Sequence, residues 1–94
     1  MTMEEIAAKI ARGLEKRPVE DRFKFDCGED GAITIRDGGV VLGDEKADCT
    51  IHISRANLVK LMAGDLNPMT AFAFGKIKVS GDMGLAMKLG KVLG

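Results

Sequence analysis

Apolar residues recur at steps of three and four at the start of this chain. Met3, Ile6, Ala7, Ile10 and Leu14 form one stripe, the spacing of an amphipathic helix. Thr2 and Glu5 stand in capping-box relation, a hydroxyl followed three residues on by a carboxylate, so the helix should begin there. Gly13 weakens the pattern and Pro18 ends it, because the residue before a proline avoids helical angles.

The period then falls from about 3.6 to 2. In "RFKFDC", Phe23, Phe25 and Cys27 share one side of a predicted strand, and Arg22, Lys24 and Asp26 the other. The turn "GEDG" leads into "AITIR", where Ile33 and Ile35 oppose Thr34 and Arg36. "RDGG" marks a second turn before the short strand "VVL", and "GDEKAD" reads as a polar loop. "CTIHIS" places Cys49, Ile51 and Ile53 inside with Thr50 and His52 outside, and "KIKVS" repeats the scheme with Ile77 and Val79 inward. Five strands that are apolar on one side only predict an α/β (α+β) domain, a mostly antiparallel sheet with one wet face and helices on the other.

Three further helical segments supply that cover. Ser54 caps "RANLVKLMA", with Leu58, Leu61 and Met62 inward and Gly64 as its stop. Asn67, with Pro68 at the first helical position, opens "PMTAFAF", which carries Met69 and Phe72 three apart and ends at Gly75. Asp82 caps the last helix. At about 100° per residue, its apolar residues Met83, Leu85, Ala86, Met87, Leu89, Val92 and Leu93 span roughly 220°, with Lys88 and Lys91 in a narrow polar strip. A core needs only an arc of about 100° or somewhat more. One flank can lie on the sheet; the rest meets another helix, a second copy of the chain or an apolar ligand. Methionine suits a variable ligand and equally suits irregular core filling, and periodicity does not separate these.

Composition narrows the function more than the fold. Fourteen basic and fourteen acidic side chains cancel, so no global field attracts nucleic acid or an anionic surface. Ninety-four residues fit a single domain, 1–94. "MTMEEIAAKIARGLEKR" has no apolar signal core, no run reaches the roughly 20 residues of a membrane span, and "KVLG" is neither a lipidation nor a peroxisomal signal. A cytoplasmic chain with reduced thiols is the expectation.

Candidate chemistry is sparse. Cys27 and Cys49 lack zinc spacing and share the inward parity of their strands, which makes them buried thiols. His52 points outward with no evident nucleophile or orienting acid, so a solvated histidine is expected. Gly81 and Gly84 of "SGDMG" do not complete a dinucleotide fingerprint. No cofactor, metal or catalytic residue is expected. Lys76, Lys78, Lys88 and Lys91 offer either a basic rim for a carboxylate, phosphate or CoA head or simply a wet face.

The ordered run "ADCTIHISRANLVKLMAGDLNPMTAFAFGKIKVSGDMGLAMKL", Ala47 to Leu89, resembles the sterol carrier protein type 2 family of small lipid-binding domains. The features that carry the likeness are the Asp48-containing strand, the Leu61/Gly64 helix end, the "NP" opening, "AF-x-x-GKIKVSGDM" and "LAMKL". The resemblance implies a five-stranded sheet with helices on one face and, between them, an apolar tunnel for a fatty acid, acyl-CoA, phospholipid or sterol. It implies a tunnel wall of Leu58, Leu61, Met62, Met69, Phe72, Phe74, Met83, Leu85, Met87 and Leu89 over a floor of Ile51, Ile77 and Val79.

The expected function is therefore non-enzymatic binding and transfer of an apolar small molecule, with transient membrane contact and a homodimer both left open. A protein-interaction or dimerisation module that presents lipid-like substrates to a partner enzyme is the alternative. A thioester catalyst built on Cys27 or Cys49 stands behind both.

Overall fold

The protein is described by a computed structural model covering residues 1–93, with side-chain surroundings described as far as Lys88. The first helix, α1 (Met3–Lys16), starts at the capping box: Glu5 N–H donates to Thr2 Oγ1 at 3.2 Å, and Thr2 N–H donates to Glu5 Oε1 at 3.0 Å. Those hydrogen bonds to Thr2 hold the Glu5 carboxyl below its ordinary range. Ile6, Ile10 and Leu14 are the buried positions of the stripe. Burying each is worth about 1.5–3 kcal/mol, more than any propensity difference along the helix.

The chain continues through β1 (Phe23–Asp26), a short 3₁₀ turn at Gly28–Asp30, β2 (Ala32–Arg36) and β3 (Gly39–Leu42). Between β2 and β3, Asp37 and Gly38 both take positive φ, 53° and 75°, the conformation a two-residue hairpin requires and the reason for an Asp-Gly pair there. After β4 (Cys49–Ile53) come α2 (Arg55–Met62), α3 (Pro68–Ala73), β5 (Ile77–Gly81) and α4 (Met83–Leu93). Ser54 Oγ accepts from Asn57 N–H, Asn67 Oδ1 from Met69 and Thr70 N–H, and Asp82 Oδ1 from Gly84 and Leu85 N–H. Each predicted cap is a cap.

The strands form one sheet in the order β3-β2-β1-β4-β5. Three of its four pairings are antiparallel; the central β1–β4 pair is parallel. Register lines up one apolar row of Val40, Ile35, Phe23 and Cys49, and a second of Leu42, Ile33, Phe25, Ile51 and Val79. Phe23, Phe25, Ile33, Ile35 and Cys49 are completely buried under the helices.

The outer face is wet only in part. To place β4 parallel to β1, the polar loop after β3 runs back across that face instead of turning into a hairpin. Thr34 Oγ1 donates to Gly43 O at 2.8 Å and accepts from Glu45 N–H at 3.2 Å, while Lys24 pairs with Asp44 and Arg36 with Glu45. Thr34, outward by parity, is thereby fully buried, and both roles of its hydroxyl are satisfied. At the far edge, Gly81 has φ of 93°, and a Cβ there would stand 2.3 Å from Asp48 O, so the close approach of β5 to the start of β4 admits only glycine.

Candidate functional site

A cleft of about 500 Å³ opens between the C-terminal half of α1 and the end of α2. Its floor is apolar: Ile10 and Leu14 from α1 and Ile35 from β2. Val59, Met62 and Ala63 form the α2 wall. Gly13 lies in the α1 wall, where an added Cβ would have nothing within 4 Å. A glycine inside a helix costs about 1 kcal/mol relative to alanine, and here its missing side chain leaves the cleft room.

The mouth carries Lys9, Arg12 and Lys16, with Glu15 beside them. The three cations are spaced three and four residues apart, so they lie on one face of α1. An apolar floor beneath an ammonium and guanidinium rim fits an amphiphile with an anionic head. That rim was not singled out from the sequence, although the spacing 9, 12, 16 was the available signal. The basic stripe of α1 shares the period of its apolar stripe, and the net charge conceals it because acidic residues elsewhere cancel it.

The residues expected to line a tunnel separate into groups. Leu58, Leu61 and Ile77 are buried in the core, as is the expected floor residue Ile51, while Val79 is half-buried. Met62 and Leu85 are half-buried, and Met62 faces the interhelical cleft. Met69, Phe72, Phe74, Met83 and Met87 were expected to face inward; they are exposed, Phe74 by 77% and Met69 by 68%. Leu89 lies outside the residues whose side chains are described.

The reasons for that outward placement are local. The helix α3 has six residues, and it meets the sheet through Ala71, which is fully buried. A small residue at the contact brings the helix backbone close to β5 and turns the large neighbours Met69 and Phe72 outward. On α4, Leu85 and Ala86 are the half-buried positions, near 200° and 300° on the helical wheel. Met83 and Met87, near 0° and 40°, form the surplus flank, and it is uncovered. Lys88 pairs with Asp21 at 2.8 Å, which ties α4 to the segment between α1 and β1.

Lys76 and Lys78 lie on the outer side of the sheet, beside His52 and Asp26, and not at the cleft. The four lysines considered as one rim are thus divided, and Lys91 lies outside the described side chains. Both cysteines are buried and free. Burial, with Asp30 and Asp26 adding to it, pushes the Cys27 thiol up to about 11; burial and then Asp82 raise that of Cys49. The thiolate that nucleophilic chemistry needs is disfavoured at both.

The fold and parts of the sequence recur in known proteins. Residues aligned with sterol carrier protein 2 of Gallus gallus are 57% identical over 75 positions, covering 71% of this chain and 14% of that protein. A hydroxysteroid dehydrogenase-like protein 2 of Xenopus laevis is 46% identical over 59 positions, 61% of this chain and 14% of the relative. This chain therefore corresponds to a small part of each. Among solved structures, sterol carrier protein 2 of Aedes aegypti in complex with the C16 fatty acid palmitate superposes with a TM-score of 0.81 at 25% identity, over 99% of this chain and 96% of that one. The sequence profile of the SCP-2 sterol transfer family matches residues 4–94, and this chain belongs to that family.

Proposed function

We propose that this chain binds and transfers a long-chain amphiphile with an anionic head, the fatty acid or acyl-CoA class, without acting chemically on it. The observation that carries this reading is the cleft of about 500 Å³ with an apolar floor and three cations at its mouth. Its volume lies within the range of about 300–1,000 Å³ usual for small-molecule sites. An alkyl chain gains about 0.8 kcal/mol per methylene removed from water, so ten methylenes contribute about 8 kcal/mol before ordering costs. The palmitate held by the Aedes aegypti relative supports the same ligand class. In this reading Met62 contacts the tail directly. Met69, Phe72, Phe74, Met83 and Met87 meet it, or the apolar surface it comes from, as it enters.

Two measurements on the full chain test the proposal: mass spectrometry of the freshly purified, denatured protein, and a thermal shift on adding palmitate. Carriage predicts a co-purifying lipid or a concentration-dependent rise in Tm. Finding neither would refute it.

The exposed set on α3 and α4 favours a second reading, that of a module docking a second copy or an enzyme that receives lipid-like substrates. Sizing with and without fatty acid separates the two. A dimer indifferent to fatty acid supports docking, and a monomer whose ligand is displaced by competing lipid supports carriage.

A further inference from the structure

On the outer face of the sheet, away from the interhelical cleft, three side chains that are distant in sequence stand in a line across adjacent strands. Ser80 Oγ on β5 is 3.0 Å from His52 Nε2 on β4, and His52 Nδ1 is 3.5 Å from Asp26 Oδ2 on β1. Strand register makes this arrangement. Asp26 is directly opposite His52 in the parallel pair, and Ser80, opposite Thr50, is its diagonal neighbour on the same face. The carboxylate is held by its other oxygen, since Asp26 Oδ1 accepts from Gly28 N–H at 2.9 Å. In the tautomer that carries its proton on Nδ1, the nitrogen nearer Asp26, His52 Nε2 accepts from the Ser80 hydroxyl. Beside Asp26 and His52 lies a shallow, open depression of about 380 Å³ whose lining includes Ser54, Lys76 and Lys78, and Ser80 stands next to it, outside that lining.

From this line of groups and the hollow next to it, we propose that Ser80 is a nucleophile activated by His52 and positioned through Asp26, taking the acyl group of a water-soluble ester or thioester with a negatively charged portion. Ser80 Oγ forms a bond to the acyl carbon as the bond to the leaving oxygen or sulfur breaks. The hydroxyl proton passes to His52 Nε2 and then to that leaving atom, releasing an alcohol or thiol. Water, deprotonated by the same nitrogen, next attacks the acyl-serine; the bond from the acyl carbon to Ser80 Oγ breaks, His52 returns the proton to that oxygen and the acid is freed, so the cycle is a net hydrolysis and consumes no other reagent. Lys78, directly opposite His52 in the β4–β5 register, and Lys76 supply the positive charge that faces the developing oxyanion and the anionic part of the substrate.

The inference does not rest on lipid carriage, because the two sites are on opposite faces of the sheet. Its test is acylation of the full chain by p-nitrophenyl acetate, followed by peptide mapping that separates serine esters from lysine amides. The expected result is an acetyl group on Ser80 that is absent in Ser80→Ala and appears about 100-fold more slowly in His52→Gln, the lower end of what a positioned base contributes. Asp26→Asn should slow Ser80 acylation and Asp26→Glu should restore part of it, a difference that loss of fold would not produce. Palmitate binding by Ser80→Ala should equal that of the parent chain, so failure of either reading is seen separately. An unlabelled Ser80, or one labelled equally fast in His52→Gln, would overturn the proposal and leave a surface hydrogen-bond network.

Discussion

Lys88 Nζ on α4 lies 2.8 Å from Asp21 Oδ2 in the segment joining α1 to β1, a contact between residues 67 positions apart. The helix reaches the core only through half-buried Leu85 and Ala86 among its described side chains, so this ion pair is one of few ties fixing where α4 sits.

Lys88→Met should therefore leave the sheet unchanged and raise amide exchange along α4, read by hydrogen exchange with mass spectrometry. The hydrogen bond and charge of Asp21 raise the Lys88 ammonium above the ordinary lysine value of 10.5. A cation whose folded value is raised stabilises fully at neutral pH, and its contribution disappears as pH climbs through the raised value. The difference between parent and Lys88→Met should accordingly vanish in strongly alkaline solution.

Glycine-to-alanine substitutions should act in opposite directions at two positions. Gly13→Ala enters open space in a helix and should stabilise by about 0.5–1 kcal/mol. Gly81→Ala meets the Asp48 carbonyl at a positive φ and should destabilise by about 1–3 kcal/mol. Urea unfolding of both variants gives the two signs. Gly13→Phe, which places a ring in the cleft, should weaken palmitate binding by about tenfold, or 1.4 kcal/mol.

Reversing charge at the cleft mouth should separate head from tail. Arg12→Glu is expected to weaken palmitate binding by roughly tenfold at low salt and to leave binding of an uncharged long-chain alcohol almost unchanged. Calorimetric titration with both ligands reads the difference, and equal losses would remove the rim from the site.

A charge on the uncovered flank of α4 should cost function without stability. Met87 is 63% exposed, so Met87→Asp should change unfolding free energy by less than about 0.5 kcal/mol. The same substitution should slow fatty-acid uptake from vesicles, while a change at Lys24, on the outer face of the sheet, should not. Equal effects at the two positions would contradict this assignment of faces.

Cys27 and Cys49 should resist iodoacetamide in the folded protein. With the Cys27 thiol near 11, only about one molecule in a few thousand carries the thiolate at pH 7.5. Labelling in denaturant, followed by mass, should be more than tenfold faster.

Much of the fold was legible because local chemistry specified it. Thr2, Ser54, Asn67 and Asp82 are caps whose side chains satisfy amides a few residues away, and the Asp37–Gly38 turn follows from two positive φ angles. Alternation assigned the inward side chains of four strands correctly. It gave the wrong surroundings for Thr34, since the loop that buries this residue is brought there by the parallel placement of β4, a long-range event.

The candidate site was legible in kind and less so in place. On α3 and at its C-cap the resemblance implies inward Met69, Phe72 and Phe74, but the contact is made by Ala71 and the large side chains turn to solvent. Asp26, His52 and Ser80 carry no sequence spacing that links them; pairing of three strands brings them together.

By itself, the sequence determined the elements, their ends and the apolar sheet face, which depend on neighbours within a turn or on alternation along one strand, while the family was legible in the ordered run of motifs from Ala47 to Leu89. Tertiary structure alone decided which flank of α4 is covered, where the cleft opens and which polar groups meet across the outer face. Those outcomes depend on strand order and on the distance at which helices pack, and both are set by contacts between residues far apart in the chain.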